Sequence, residues 1–156
     1  MSGFSWPARV YWEDTDGGGI VYYANYLRFL ERSRTEWLRQ LGHSQQQLAR
    51  EHGIVFTVVS LGIEYRAPAR LDDELRITCE PRPQGSASLR FAQRIYRVAP
   101  AGDASGPAFA GRDEPGQQLL VEASVRVACA DARTLRPKRL PQFLSEALDT
   151  KGSAHG

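Results

Sequence analysis

Two periods divide the chain. Over residues 26–41 the apolar positions Tyr26, Leu27, Leu30, Trp37, Leu38 and Leu41 recur at spacings of three, four and seven. That spacing places them on one stripe of a helix, with Arg28, Arg32, Glu36 and Arg39 opposite. Arg32 and Glu36 stand four apart, the separation of an ion pair on a helix face. After Gly53 the period becomes two. Val55, Thr57, Val59, Leu61, Ile63 and Tyr65 share one face of a predicted strand, Leu75, Ile77 and Cys79 a face of the next, and Leu89, Phe91 and Ile95 mark another. Leu119, Val121, Ala123, Val125, Val127 and Cys129 alternate cleanly in a last strand, and residues 8–12 read as a short first one. The pattern predicts an α+β fold in which about five strands wrap one long helix.

Turn residues punctuate these elements. The long helix begins near Ala24 or Asn25 and stops at Gly42, and a shorter helix over residues 44–51 has Ser44 as its N-cap and Gly53 as its stop. Asp72 and Asp73 suit a reversal between strands, because their side chains bond locally to the backbone. Residues 99–117, small, polar and rich in Pro and Gly, show no period and read as a long mobile hairpin loop. A short helix is expected over residues 141–148 and a disordered tail over 149–156. The domain is therefore 1–148.

At 156 residues with 42% hydrophobic content the chain can bury a single core. The formal charge of +2 rests almost wholly on arginine, since Lys138 and Lys151 are the only lysines. Acidic residues are interspersed with the arginines, so no basic stripe for nucleic acid forms. Cys79 and Cys129 are isolated from each other and from histidine, which argues against a zinc site or a disulfide framework and fits a reducing compartment. No run approaches the roughly 18 apolar residues of a membrane span, and the first ten residues do not have the pattern of a secretory leader. A cytoplasmic location is expected.

The chemistry concentrates in WEDTDGGGIVYYANY, residues 12–26, where an acidic, glycine-rich loop runs into the start of the long helix. A phosphate-binding P-loop would need Lys and Ser or Thr after its last glycine, and Ile20 and Val21 follow here. A calcium loop from Asp14 would place Gly18 at its fifth position and Asn25 at its twelfth, where a bidentate Glu is needed. His43, His52 and His155 have no Ser, Cys or carboxylate at a spacing that implies a triad. For Tyr11, Tyr22, Tyr23 and Tyr26 packing is the ordinary role. Asp14 and Asp16 have two readings. They tie a turn through Asx-type bonds, or Asp16 does chemistry beside a helix N-terminus whose unpaired N–H groups stabilise an oxyanion. A thioester suits the second, because its thiolate leaves without a strong general acid.

The stretch VYWEDTDGGGIVYYANYLRFLERSRTEWLRQLG, with IEYRAPARLDDELRI further on, resembles the YbgC-type branch of the 4-hydroxybenzoyl-CoA thioesterase family. The order of elements agrees over residues 6–148. The resemblance implies the hotdog fold, acyl-CoA thioester hydrolysis, and active sites at the interface of a homodimer or homotetramer joined through sheet edges. It implies no cofactor, since CoA belongs to the substrate. Asp16 matches the family's catalytic aspartate, as nucleophile or general base, and the backbone N–H of Tyr23 matches the group that polarises the thioester carbonyl. The branch commonly has His where this chain has Tyr23 and Tyr where it has Trp12.

By position in the family, Thr57, Val58 and Val59 line the acyl slot. Arg82 and Arg90, flanking the turn Gly85, Ser86, Ala87, are candidates for the CoA phosphates, because such a turn exposes backbone donors; the alternative is a pair of solvated strand ends. A second function class stays open. YbgC-like proteins resemble parts of the Tol-Pal system and of phospholipid-synthesis assemblies, so a non-catalytic acyl-binding module with envelope-associated protein partners is the alternative. A hydratase would want an Asp/His pair, and no His lies near the loop.

Overall fold

The computed structural model of the chain describes residues 3–99 and 116–155, with side chains as far as residue 148. Its long helix, α1, spans Tyr26–Gln40 and continues directly from a 3-10 turn, Tyr23–Asn25. Gly42, at φ 96°, ends it where the sequence predicts. The buried face carries Tyr26, Phe29, Leu30, Ser33, Trp37 and Leu38. Leu27, expected on that face, is 39% exposed, and Phe29 is buried instead. The helix packs mainly against the first and third strands, so the flank bearing Phe29 is covered and the flank bearing Leu27 is left open. Glu36 pairs with Arg39 at 2.5 Å rather than with Arg32, whose guanidinium lies over the Phe29 ring.

The sheet is antiparallel and five-stranded, in the order β1-β3-β4-β5-β2. Its strands are β1 (Phe4–Arg9), β2 (Ile54–Tyr65), β3 (Glu74–Pro83), β4 (Ser88–Val98) and β5 (Gln117–Asp131). Packed on α1, they form the hotdog arrangement. β1 lies earlier than residues 8–12, because Trp12–Asp14 coil into a 3-10 turn held by the Asp14 carboxylate, which accepts from the Tyr11 N–H at 2.8 Å. Pro7 is tolerated in β1 because that strand is an edge and misses no ladder bond on its open side.

Two bulges correct the predicted alternation. Val58 pairs with Val127 but Ser60 with Arg126, so Val59 is the extra residue of β2. Cross-strand partners share a face, so Ile54, Phe56 and Val58 face the helix before the bulge and Leu61, Ile63 and Tyr65 after it. Val55, Thr57 and Val59, expected on that face, are on the other. In β5, Ile95 pairs with Val121 and Tyr96 with Leu119, which leaves Leu120 over. Leu120 is fully buried and Leu119 only partly, the reverse of the pattern's expectation.

The remaining elements close the core. The Ser44 hydroxyl accepts from the Gln47 N–H at 3.1 Å and caps α2 (Gln45–Gln47), which runs into a π-helical turn, Leu48–His52, stopped by Gly53 at φ 66°. The α3 helix covers Gln142–His155, where the pattern expects a helix ending at residue 148 and a disordered tail after it. Leu144 and Leu148 of α3 are buried in the core, and Phe143 stacks on His43 with ring centroids 3.7 Å apart. In the turn before β3, Asp73 accepts from the Arg70 N–H and from Arg97 Nε, each at 2.8 Å. Ala99 N–H donates to the Gly116 carbonyl at 2.7 Å, closing the base of the long hairpin. The expectation of mobility for that loop falls on residues 100–115, outside the described ones.

Candidate active site

The loop before α1 is a tight hairpin. Tyr22 N–H donates to the Asp14 carbonyl at 3.1 Å, Thr15 bridges Val21, and Asp16 N–H donates to the Ile20 carbonyl at 3.0 Å. Reversal within so few residues requires left-handed backbone, and Gly17 and Gly19 supply it at φ 92° and 82°. The Asn25 side-chain N–H donates to the same Asp14 carbonyl at 2.9 Å, so one oxygen ties the base of the hairpin to the start of the helix. On the far side, Val21 N–H reaches the Ala69 carbonyl and Leu71 N–H the Gly19 carbonyl, each at 2.9 Å.

This frame separates the two aspartates. Asp14 is buried, with its carboxylate spent on the Tyr11 N–H. Asp16 is exposed at the hairpin tip, where Oδ1 accepts from the Gly18 N–H at 2.9 Å. The Asx turn read from the sequence is thus present, and it engages Oδ1; among the described residues Oδ2 has no hydrogen-bond donor. A Cβ at Gly18 would come within 3.3 Å of Asp16 Oδ1, so the glycine keeps that carboxylate uncrowded.

Tyr23 opens the helical run, a position whose N–H has no acceptor within its own helix. Its carbonyl accepts from the Tyr65 hydroxyl at 3.0 Å, which binds the helix start to the end of β2. Tyr22, Tyr23, Tyr26 and Tyr65 form a cluster with successive ring centroids 4.8 to 6.5 Å apart. The side-chain hydrogen bond with Tyr23 raises the Tyr22 phenol above its ordinary pKa, and burial raises those of Tyr26 and Tyr65. These phenols therefore serve as neutral groups at neutral pH.

The other sequence-predicted residues lie elsewhere. Arg82 and Arg90 face each other across β3 and β4 on the side of the sheet away from the helix, and Arg90 in turn faces Arg126 of β5. Like charges directly opposite are unfavourable in a sheet, so three arginines in a row mark a surface suited to an anion. Arg82 pairs with Glu80 at 3.1 Å, while Arg90 bonds only neutral groups, Gln84 and Ser124, among the described residues. Arg126 was not found from the sequence, because its partnership with Arg90 depends on strand register. In the turn, Gly85 takes φ 76°, and the Ser86 and Ala87 carbonyls accept from Leu140 and Cys129. Val58 lines a cavity of about 180 Å³ between α1 and β2, bounded also by Arg34, Trp37, Leu38, Phe56 and Phe91. Thr57, paired with Ala128, and Val59, in the bulge, are on the opposite face. The cavity was not legible in the sequence either, since it arises where α1 leans away from β2.

The Thioesterase superfamily matches residues 18–101. This chain belongs to that superfamily. Among relatives of the thioesterase, the acyl-CoA thioesterase YbgC of Haemophilus influenzae is 39% identical over 146 residues, spanning 94% of each chain. The acyl-CoA thioester hydrolase YbgC of Escherichia coli O6:H1 is 43% identical over 90% of this chain and 92% of its own. Among solved structures, a probable thioesterase from Bartonella henselae superposes with a TM-score of 0.73 at 31% identity, covering 90% of this chain and all of its own. An Asp-to-Asn variant of 4-hydroxybenzoyl CoA thioesterase, complexed with 4-hydroxybenzoyl CoA, superposes with a TM-score of 0.74 at 25% identity, covering 90% of this chain and 95% of its own.

Among the described residues no helix is long and apolar enough to cross a membrane.

Proposed function

We propose that this thioesterase cleaves acyl-CoA with Asp16 as the reactive carboxylate and the Tyr23 N–H as the oxyanion donor. The observation that carries this reading is the shared Asp14 carbonyl, which fixes the Asp16 hairpin against the turn that Tyr23 opens. The carbonyl oxygen of the thioester accepts from the Tyr23 N–H, where the positive end of the helix favours the charge that develops. Asp16 Oδ2 then takes a proton from the water that attacks, or itself attacks to give a mixed anhydride that water opens. In either route the C–S bond breaks and CoA leaves as a thiolate.

The working unit in this reading is a pair of chains. Among the described residues β2 has a neighbouring strand on one side only, and Val58, Val59, Leu61 and Tyr65 on it are 40 to 52% exposed, a surface suited to a second copy. Within one chain the cavity is remote from the hairpin: Trp37 is eleven residues along α1 from Tyr26, about 16 Å at the helical rise. Antiparallel pairing of two β2 strands about a two-fold near Ser60 brings Tyr65 of one copy opposite Val55 and Phe56 of the other. One copy then supplies Asp16 and Tyr23, and the second supplies the acyl cavity. The row Arg82, Arg90, Arg126 runs toward Ser60 at the same two-fold, and in this reading it receives the CoA phosphates.

The test is thiol release from an acyl-CoA panel by wild type and Asp16→Asn, which keeps the volume and removes the charge. A loss of about two orders of magnitude or more, with folding unchanged, is the expected result. Retention of the wild-type rate would overturn the assignment.

A further inference from the structure

The cavity between α1 and β2 is mostly apolar, with Trp37, Leu38, Phe56, Val58, Leu89, Phe91 and Val127 in its walls. Its volume is about 180 Å³, and a cavity of roughly 150 Å³ holds a benzene ring. One ring or a chain of about six carbons fits. What distinguishes this space is a single arginine in its wall.

Arg34 is half-buried on the open flank of α1 and donates Nη1 to Gln93 Oε1 at 2.9 Å. Gln93 is 1% exposed, and its Nε2 donates to the carbonyls of Leu30 and Thr78 at 3.1 and 3.3 Å. Those two carbonyls fix the amide, so its oxygen must face Arg34. A guanidinium carries five N–H donors, and among the described residues Arg34 uses one of them and enters no ion pair. Glu31 is in the same wall, but its Oε1 accepts from the Thr35 hydroxyl at 2.9 Å. Burial lowers the Arg34 pKa, partly offset by Cys79 and Glu31. The cavity therefore offers donors in an apolar setting, and its complement is an oxygen acceptor. Because Arg34 and Glu31 cancel in formal charge, a neutral oxygen fits better than a carboxylate.

We infer that Arg34 is a specificity-determining residue of this thioesterase: it donates to an oxygen at the far end of the acyl group seated in the cavity, so that short keto- or hydroxyacyl chains are favoured over unsubstituted ones. This rests on the reading that the acyl group occupies the cavity of the second copy. Arg34 touches the distal acyl group and takes no part in the cleavage itself.

The experiment compares kcat/KM for hexanoyl-CoA with that for analogues carrying a keto group on the carbon next to the terminal methyl, or one or two carbons further in. Wild type, Arg34→Met, Arg34→Lys and Val58→Trp are assayed, with thermal unfolding and oligomer size checked. Wild type should favour the best keto analogue by about tenfold or more, the range of a hydrogen bond to a charged group. Arg34→Met should bring the two substrates within about threefold of each other while hexanoyl-CoA is still hydrolysed, and Arg34→Lys should restore part of the preference. A wild type without preference, or an Arg34→Met that slows both substrates equally, would overturn the inference and leave Arg34 as a support for Gln93. Val58→Trp fills the cavity and should slow all the substrates. If it slows none, the seating of the acyl group in the cavity fails and the role of Arg34 with it. If it slows all while Arg34→Met leaves the preference intact, the role of Arg34 alone is lost.

Discussion

The hydroxyl of Tyr65 donates to the carbonyl oxygen of Tyr23 across 3.0 Å, joining the end of the open edge strand to the turn that starts the central helix. A movement of β2, such as one imposed by pairing with a second copy, is transmitted to Tyr23, whose N–H is the proposed oxyanion donor. Tyr65→Phe removes the bond and keeps the ring, which packs on Tyr23 and Tyr26. The expected outcome is a fall in kcat of about three- to tenfold with a stability loss of about 1 kcal/mol or less, since this hydrogen bond is exposed to solvent. An unchanged kcat would show that the tie does not position the turn.

Asp14 and Asp16 should respond oppositely to substitution. Asp14→Ala takes the acceptor away from the Tyr11 N–H in a buried position, and a loss of roughly 1–3 kcal/mol by urea unfolding is expected. Asp16→Asn retains an oxygen for the Gly18 N–H, and its midpoint should stay close to wild type. A large stability loss in Asp16→Asn, with Asp14→Ala unaffected, would mean that the two roles are reversed.

The acid side of the stability profile follows from carboxylates held below their ordinary pKa. Hydrogen bonding to Arg66, with the nearby Arg66 and Arg94 charges, lowers Glu122, and the Thr134 and Arg133 N–H groups lower Asp131. A depressed folded-state pKa gives stability that is complete above the unfolded value, near 4, and is lost as pH falls through the folded value. Stability should therefore be level above about pH 5 and decline below about pH 4. The contribution is small because Glu122 and Arg66 are partly exposed and screened by salt. Glu122→Gln should flatten part of the acid decline; an unaltered slope would exclude this group as a source of it.

The features legible in the sequence are those set by local rules. The Ser44 cap, the Gly42 and Gly53 stops, the Asp72 and Asp73 turn and the face carrying Leu75, Ile77 and Cys79 all follow from spacing and turn chemistry, and all are present. What was missed depends on contacts between elements. Nothing near Val59 or Leu120 announces a bulge, because an extra residue exists only relative to the partner strand. Leu27 and Phe29 are equally suited to the buried stripe, and the lean of α1 toward β1 and β3 decides between them. In the site, the glycine-rich hairpin before a helix was legible because it is contiguous. Arg126 and the wall containing Arg34 and Trp37, with Gln93 behind Arg34, were not, since register and packing assemble them from distant parts of the chain.

The central claim is that one active site joins the Asp16 hairpin of one copy to the acyl cavity of another, and subunit complementation tests it most directly. Asp16→Asn and Val58→Trp chains carrying different affinity tags would be co-expressed and the mixed dimer isolated. Each variant alone should be nearly inactive. In the mixed dimer one site collects both defects and the other has neither, so thiol release should return to about half of the wild-type rate per dimer. A mixed dimer as inactive as its parents would show that a single chain supplies both parts, and would contradict the account.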